Sequence, residues 1–322
     1  MSFRKILKPT LVLLCAAMFF TLLPGYRSEP AFAKTTVADM NAKINSLKDD
    51  LEFLPESSRH WTRSRYWRKL DNIARTLAAA SKGEEWPMLV GLGEVENDSV
   101  LHDLTRRSPL RLARYAYVHH EGPDLRGIDC ALLYQPEQFH LLGSRAVRVP
   151  SERHGLRPTR DLLHCWGVQP SGDSLHVICV HFPSRAGGTR QSGLHRKRAA
   201  EALCGLLDSL SGQQVIVMGD FNAGADDPAL RPIAQRLVSL TPSGRKEKRK
   251  PQGTYYYQGL WDFIDHILIS RSLQSRCSQR ITVGRFPFLL TEDGKPYRTY
   301  RGPAYVGGVS DHLPIWADLF IR

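Results

Sequence analysis

The sequence predicts a mixed α/β chain: sheets packed face to face, with helices outside. Three observations carry this. Short apolar runs interleave with helical patterns along most of the chain. Two runs flank the turn Pro170-Ser171-Gly172-Asp173 as a hairpin, a connection that a purely parallel sheet lacks. Several runs end in ionisable residues, the pattern of a site gathered from strand ends.

The N-terminus comes first. Arg4, Lys5 and Lys8 precede a largely apolar stretch, residues 11–23, and Ala31-Phe32-Ala33 has the form of a cleavage site. This predicts a secretory leader over residues 1–33 and a single domain over 34–322. The apolar stretch is short for a membrane span, and no later segment is apolar enough to cross a bilayer. Four basic residues and one acidic residue leave with the leader, taking the net charge from +12 to +9. Positive excess in an exported chain suits polyanions such as nucleic acid, or an acidic membrane surface. Cys130, Cys165, Cys179, Cys204 and Cys277 remain, an odd set without C-x-x-C or zinc spacing. Cys130 and Cys179 lie inside apolar runs and read as packing thiols.

Residues 34–54 are polar and poor in strand signals. Trp67, Leu70, Ile73, Ala74 and Leu77 recur at three- and four-residue steps, predicting a helix within 56–80. Residues 88–92 read as a buried strand ending at Gly93-Glu94, 100–107 as a helix, and 128–134 as a strand stopped by Pro136. The hairpin strands are 161–168 and 175–181. Ala199, Ala202, Leu203 and Leu206 mark one face of a basic helix over 194–210. A strand at 215–219, a helix at 229–238, and strands at 263–269 and 315–320 complete the series. Pro242, Gly244, Pro251 and Gly253 bracket a basic loop at 245–250.

In an extended chain residues i and i+2 share a face, so Asp220 and Asn222 project together beyond the run Val215 to Met218. Asp311 and His312 likewise precede the apolar segment 313–319. Five segments share this character: 91–97, 180–185, 218–222, 261–265 and 309–312. Asp262 faces away from Asp265 along one strand and reads as solvated. Glu96 shares a face with Glu94 and reads as a supporting group. Arg185 and Arg126 offer bidentate forks for phosphate oxygens, with surface ion pairing as the plainer role. Tyr255, Tyr256 and Tyr257 suit base stacking or strand packing.

Through Gly219-Asp220-Phe221-Asn222 and Ser310-Asp311-His312 the chain resembles the endonuclease/exonuclease/phosphatase superfamily, over most of residues 56–322. Glu94, the Asp-x-Arg-Gly-Ile-Asp segment at 124–129, His181 to Arg185 and Trp261 to Asp265 support the match. The resemblance implies a DNase I-like four-layer α/β sandwich and Mg²⁺-dependent phosphoester hydrolysis, with Mn²⁺ or Ca²⁺ as other ions. It implies Glu94 as the metal-binding glutamate and Asp311 as a metal-associated aspartate. Asp220 and Asn222 match the pair that orients the attacking water and binds phosphate. His312 matches the catalytic histidine, Asp265 its orienting carboxylate, and His181 the histidine that contacts the scissile phosphate and assists the leaving group. The chemistry agrees: Mg²⁺ takes carboxylate, water and phosphate oxygens, and an imidazole braced by a carboxylate moves protons near neutral pH.

The family's first strand usually delivers an asparagine, in a motif like Tyr-Asn-Val-Glu-Asn-Leu-Phe. Nothing here matches it, and Asn41 and Asn45 are candidates by position only. The leading expectation is a secreted, monomeric nuclease. The alternatives are a phosphatase or phospholipase acting on a small or lipid phosphoester, and an impaired family member that binds polyanions without cleaving them.

Overall fold

Apolar runs covered on both faces decide the layering. The computed structural model describes residues 10–14, 56–81, 86–152, 155–185, 189–242, 253–276 and 281–318. One six-stranded sheet contains β1 (Thr10–Leu14), β2 (Leu89–Val95), β3 (Ala116–His119), β4 (Asp129–Tyr134), β13 (Thr282–Val283) and β16 (Ile315–Asp318), in the order β13-β16-β1-β2-β4-β3. The other contains β5 (His140–Val147), β6 (Leu162–Val168), β7 (Ser174–His181), β8 (Val215–Asp220), β9 (Val238–Ser239) and β12 (Asp265–Ile269), in the order β5-β6-β7-β8-β12-β9. Leu89, Leu132, Val177, Ile216, Met218 and Ile267 fill the space between the sheets. Burying such a side chain contributes roughly 2 kcal/mol.

Helices close the outer faces. Helix α1 (Arg63–Ser81) lays Leu70, Ile73, Ala74 and Leu77 against Val90, Leu92, Ala131 and Leu133 of the first sheet. Between β2 and β3 lies α2 (Asp98–His102), capped by Asn97, whose side chain accepts from the Val100 amide. A π turn, Asp103–Arg107, extends α2 through the segment expected as continuous helix. Helix α3 (Thr189–Ser209) sets Ala199, Leu203 and Leu206 on Ile178, Val180 and Val217 of the second sheet, beside α4 (Arg231–Arg236). Helix, sheet, sheet and helix make the four-layer α/β sandwich.

Register aligns the functional strand ends. β7 runs parallel to β8 with His181 opposite Asp220, and β12 runs antiparallel to β8 with Asp265 opposite Asp220. Gly219 makes that alignment possible. Its φ is 150°, and a Cβ there would lie 1.8 Å from the Val180 carbonyl oxygen. The expected strand at 263–269 begins instead at Asp265, and Asp262 ends a separate strand, β11 (Leu260–Asp262), paired with β10 (Tyr255–Tyr257). A further pair is β14 (Tyr300–Arg301) with β15 (Ala304–Tyr305).

β1 pairs parallel with β2 and antiparallel with β16, and it comes from the run that reads as a leader. A central strand and a leader both demand an unbroken apolar run, so pattern alone does not separate them. Asn41, Asn45, the basic loop 245–250 and Cys277 lie outside the described residues. Cys130, Cys165, Cys179 and Cys204 are buried free thiols, in keeping with packing roles. No helix among the described residues is long and apolar enough to cross a membrane.

Candidate active site

Asp220, where β8 ends, is the hub. Its Oδ1 accepts from the Asn222 amide at 2.7 Å, and its Oδ2 accepts from Asn222 Nδ2 at 3.0 Å. Asn222 Nδ2 also donates to the Phe182 carbonyl at 2.9 Å. Both amide hydrogens are therefore committed, and Oδ1 is the atom that Asn222 can turn to a ligand. This turn needs Asn222 at φ 49°, a left-handed conformation that asparagine tolerates better than most residues. Burial pushes the Asp220 carboxyl up to about 7; His312 opposes that shift and Asp265 adds to it.

His312 and Asp265 meet across the two sheets. His312 Nδ1 lies 2.9 Å from Asp265 Oδ2 and 3.2 Å from Oδ1. This contact assigns the proton to Nδ1 and directs Nε2 away from the carboxylate. The turn is braced by the His312 amide on Ser310 Oγ, and by the Leu313 amide on the Thr254 carbonyl. Burial alone lowers the imidazole, but Asp265, Asp220 and Asp311 outweigh it and hold His312 well above its ordinary value.

Glu94 reaches the site through irregular backbone. The β2–β4 register shifts between Leu92 and Val95, and Glu94 adopts φ 59°. A left-handed glutamate costs about 1–2 kcal/mol. The shift also breaks the alternation that placed Glu94 and Glu96 on one face. Glu94 Oε2 is buried without a hydrogen-bond partner, and burial followed by the Asp311 charge raises its carboxyl.

His181 lies between these groups, with Nε2 3.6 Å from Asp220 Oδ2 and 4.0 Å from Glu94 Oε1. Its immediate neighbour was not expected: Arg160 Nη2 is 2.5 Å from His181 Nε2. Burial, then Arg160, Arg126 and His312, hold His181 well below its ordinary value. It is thus a neutral acceptor at Nε2, suited to orienting Arg160 rather than to giving up a proton. Arg160, only 4% exposed, donates to Asp124 Oδ2 at 3.1 Å, and Arg126 also pairs with Asp124, at 3.2 Å. Burial raises the Asp124 carboxyl, but the two arginines outweigh it and hold it low.

Arg185 also has protein partners. It donates to the Asn222 carbonyl at 2.9 Å and to Asp262 Oδ2 at 2.8 Å. Asp262 is therefore an ion-pair partner rather than a solvated residue, because β11 turns it toward Arg185. Both expected phosphate-binding arginines accordingly sit in ion pairs at the rim.

Lys69 of α1 is the second residue that sequence reasoning passed over. At 2% exposure, its Nζ donates to Thr299 Oγ1 at 3.0 Å and to the Val309 carbonyl. Burial lowers its ammonium to about 8, against the opposing charges of Asp311 and Glu94. A lysine inside an apolar helix stripe was the available signal for Lys69. For Arg160 the signal was a basic residue immediately before a strand.

Two arrangements of donors bear on a metal. Asp220, Asp265 and His312 place one ligand atom each within 4.8 Å of one another. His312 and Asp265 are already bonded together, so this trio suits proton handling better than a hard cation. Glu94, with its unpartnered buried oxygen, and Asp311, whose charge acts on Glu94, suit a hard divalent cation such as Mg²⁺, which favours a few carboxylates plus water and phosphate.

A sequence profile of the Endonuclease/Exonuclease/phosphatase family matches residues 37–320. Comparison with curated proteins finds no match. Among solved structures, the chain is similar to the human Nocturnin catalytic domain with bound sulfate, at 22% identity and TM-score 0.52, over 78% of this chain and 85% of that one. It is similar to the Bacteroides thetaiotaomicron VPI-5482 mannosyl-6-phosphatase Bt3783 at 17% identity and TM-score 0.54, over 80% and 93%. D. rerio TDP2 complexed with a single strand DNA product aligns at 16% identity and TM-score 0.50, over 78% and 92%. Profile, fold and strand-end site agree: this chain belongs to the endonuclease/exonuclease/phosphatase family, whose enzymes are phosphoester hydrolases that typically depend on a divalent metal.

Proposed function

We propose that the protein is an exported, Mg²⁺-dependent phosphoesterase that hydrolyses nucleic-acid phosphodiesters. The observation that carries the chemistry is Asp220, pushed up to about 7, beside the His312–Asp265 pair. A carboxylate matched to neutral pH takes a proton from attacking water efficiently. Asn222 Oδ1 accepts the other water hydrogen and fixes the line of attack. His312, kept cationic by its carboxylate neighbours, presents Nε2–H to a phosphate oxygen. Arg160, held by His181 and Asp124, adds a second fixed positive charge. Glu94 and Asp311 would hold Mg²⁺, which would supply Lewis-acid stabilisation of the charge that develops on phosphate and on the leaving oxygen, the latter then taking a proton from solvent.

The nucleic-acid substrate is supported by the net charge of +12, which becomes +9 without residues 1–33. The DNA product held by the similar D. rerio TDP2 supports it too. Export is supported by the basic-apolar-small pattern of residues 1–33. Processing after Ala33 removes the segment that forms β1 in the unprocessed chain. N-terminal sequencing of the exported protein therefore tests the leader: a chain beginning at Lys34 supports it, and a retained Thr10–Leu14 overturns it.

The test of function is hydrolysis of plasmid DNA, RNA and a chromogenic phosphodiester by the purified protein, with Mg²⁺ and with EDTA. EDTA-sensitive cleavage of nucleic acid that is absent from the His312→Ala variant is the expected result. Cleavage of the small diester alone moves the substrate to a small or lipid phosphoester. Binding of nucleic acid with no turnover on any substrate establishes an impaired polyanion binder.

A further inference from the structure

One flank of the site is built from rings. β10 alternates its side chains, so Tyr255 and Tyr257 share a face and Tyr256 turns the other way, onto Trp261 at 5.4 Å between centroids. The Tyr255 and Tyr257 rings are nearly parallel, at 15° and 6.3 Å between centroids. Tyr255 then meets the His312 ring at 4.8 Å, and the two residues also pair through their backbones. The result is a line of three rings that runs from the surface, where Tyr257 is 56% exposed, to the catalytic imidazole.

Arginines border this line on two sides, one of them in an ion pair. The Arg298 guanidinium lies 5.7 Å from the Tyr255 ring centre and is fixed by donation to the Tyr256 carbonyl at 2.8 Å. Across the strand pair, Tyr255 stands opposite Asp262, which holds Arg185. A planar group bonded to a phosphoester one step from the scissile bond would meet aromatic faces, with cationic groups beside them for neighbouring phosphates. Packing on Tyr255 alone does not account for Tyr257, which is more than half exposed.

We propose that Tyr255 and Tyr257 form a stacking subsite for the nucleobase next to the scissile phosphate. This rests on the nuclease reading above and deepens it. Stacking on an exposed tyrosine requires a base face uncovered by its neighbours, so the subsite selects single strands or frayed ends over intact duplex. It also sets a preference for base-bearing over base-free phosphodiesters.

The test uses the full chain in EDTA, where binding is read without turnover. Fluorescence anisotropy at low salt compares a short single-stranded DNA with an abasic strand of the same length. The wild-type protein is expected to favour the base-bearing strand by about tenfold, within the range of one to two stacked bases. Tyr257→Ala and Tyr255→Leu should collapse that ratio towards one, and Tyr257→Phe should keep it. Thermal melting checks that each variant is folded, and Tyr257 alone, being on the surface, suffices if Tyr255→Leu unfolds. Equal wild-type affinity for both strands overturns the subsite but leaves the nuclease reading intact if Mg²⁺ restores cleavage. No binding or cleavage of either strand overturns both.

Discussion

The two halves of the active site are prepared in opposite ways. On the second sheet, Asp220, Asn222, Asp265 and the His312 that meets them are tied by hydrogen bonds of 2.7–3.2 Å. On the first sheet, Glu94 keeps a buried oxygen with no partner and a left-handed backbone. The difference matches the work proposed for each half. Proton transfer depends on atoms already in place, so that half is braced. Cation binding depends on carboxylate oxygens not yet engaged, so that half keeps a buried oxygen without a hydrogen bond.

Removing the centre of the braced half should have the largest effect. His312→Ala is expected to lower kcat by about a thousandfold, the upper end of the range for removing a donor aimed at charge that develops in the transition state. Asp265→Asn should fall short of that, because it leaves the imidazole in place and loses only its orientation and charge. Steady-state rates on one phosphodiester substrate measure both. A His312→Ala loss below tenfold would show that the braced half is not where the chemistry occurs.

The unpaired half predicts a trade between activity and stability. Glu94→Gln should cut Mg²⁺-dependent turnover by about a hundredfold while raising metal-free stability by about 1 kcal/mol, because a neutral amide removes the buried carboxylate's desolvation. Thermal melts in EDTA and Mg²⁺ titrations of activity separate the two effects. A variant that loses stability without metal would mean that Glu94 is a structural residue.

Much of this division was legible in the sequence, and the missing part has physical causes. Asp220 and Asn222 close an apolar run while Asp265 and His312 stand just before one, so the period-two rule and short motifs locate them. Glu94 was visible too, but the face it was expected to share with Glu96 is lost, since a bulge cancels the alternation. Arg160 and Lys69 went unseen because each acts through a partner far away in sequence: Arg160 on Asp124 and His181, Lys69 on Thr299 and Val309. The long edge strand His140–Val147 was missed as well. It is partly exposed along its length and lacks the apolar run that marks the central strands.

Lys69 offers a finer test, since it links α1 to the chain just before Asp311 and His312. Lys69→Met removes the buried ammonium from Thr299 Oγ1 and from the Val309 carbonyl, which keeps only the Thr299 hydroxyl at 3.2 Å, at about 1–3 kcal/mol. Looser placement of Asp311 and His312 should lower kcat about tenfold, with a smaller change in KM. If kcat is unchanged while the melting temperature falls, Lys69 serves the fold alone.

The smallest effect should come from a buried carboxylate that has no part in the chemistry, and it sharpens the contrast with Glu94. Asp129, at the start of β4, accepts from the Gly122 amide at 3.0 Å and lies 3.8 Å from His119 Nε2. Burial pushes its carboxyl up to about 7, opposed by the Gly122 hydrogen bond, while burial holds His119 low and neutral. Because its pKa is higher in the folded state than in the unfolded chain, the folded protein binds the extra proton. Its contribution to stability is complete below about pH 4 and is lost as pH rises through about 7. Asp129→Asn abolishes that loss while keeping an acceptor for Gly122. After allowance for partial solvent screening the gain should be about 1–2 kcal/mol at pH 8, several degrees in melting temperature, and smaller at pH 5. Activity in Mg²⁺ should stay within about twofold, as for substitutions away from the reacting groups. A gain that does not depend on pH would assign the effect to packing. A loss of turnover like that of Glu94→Gln would place Asp129 in the cation-binding half.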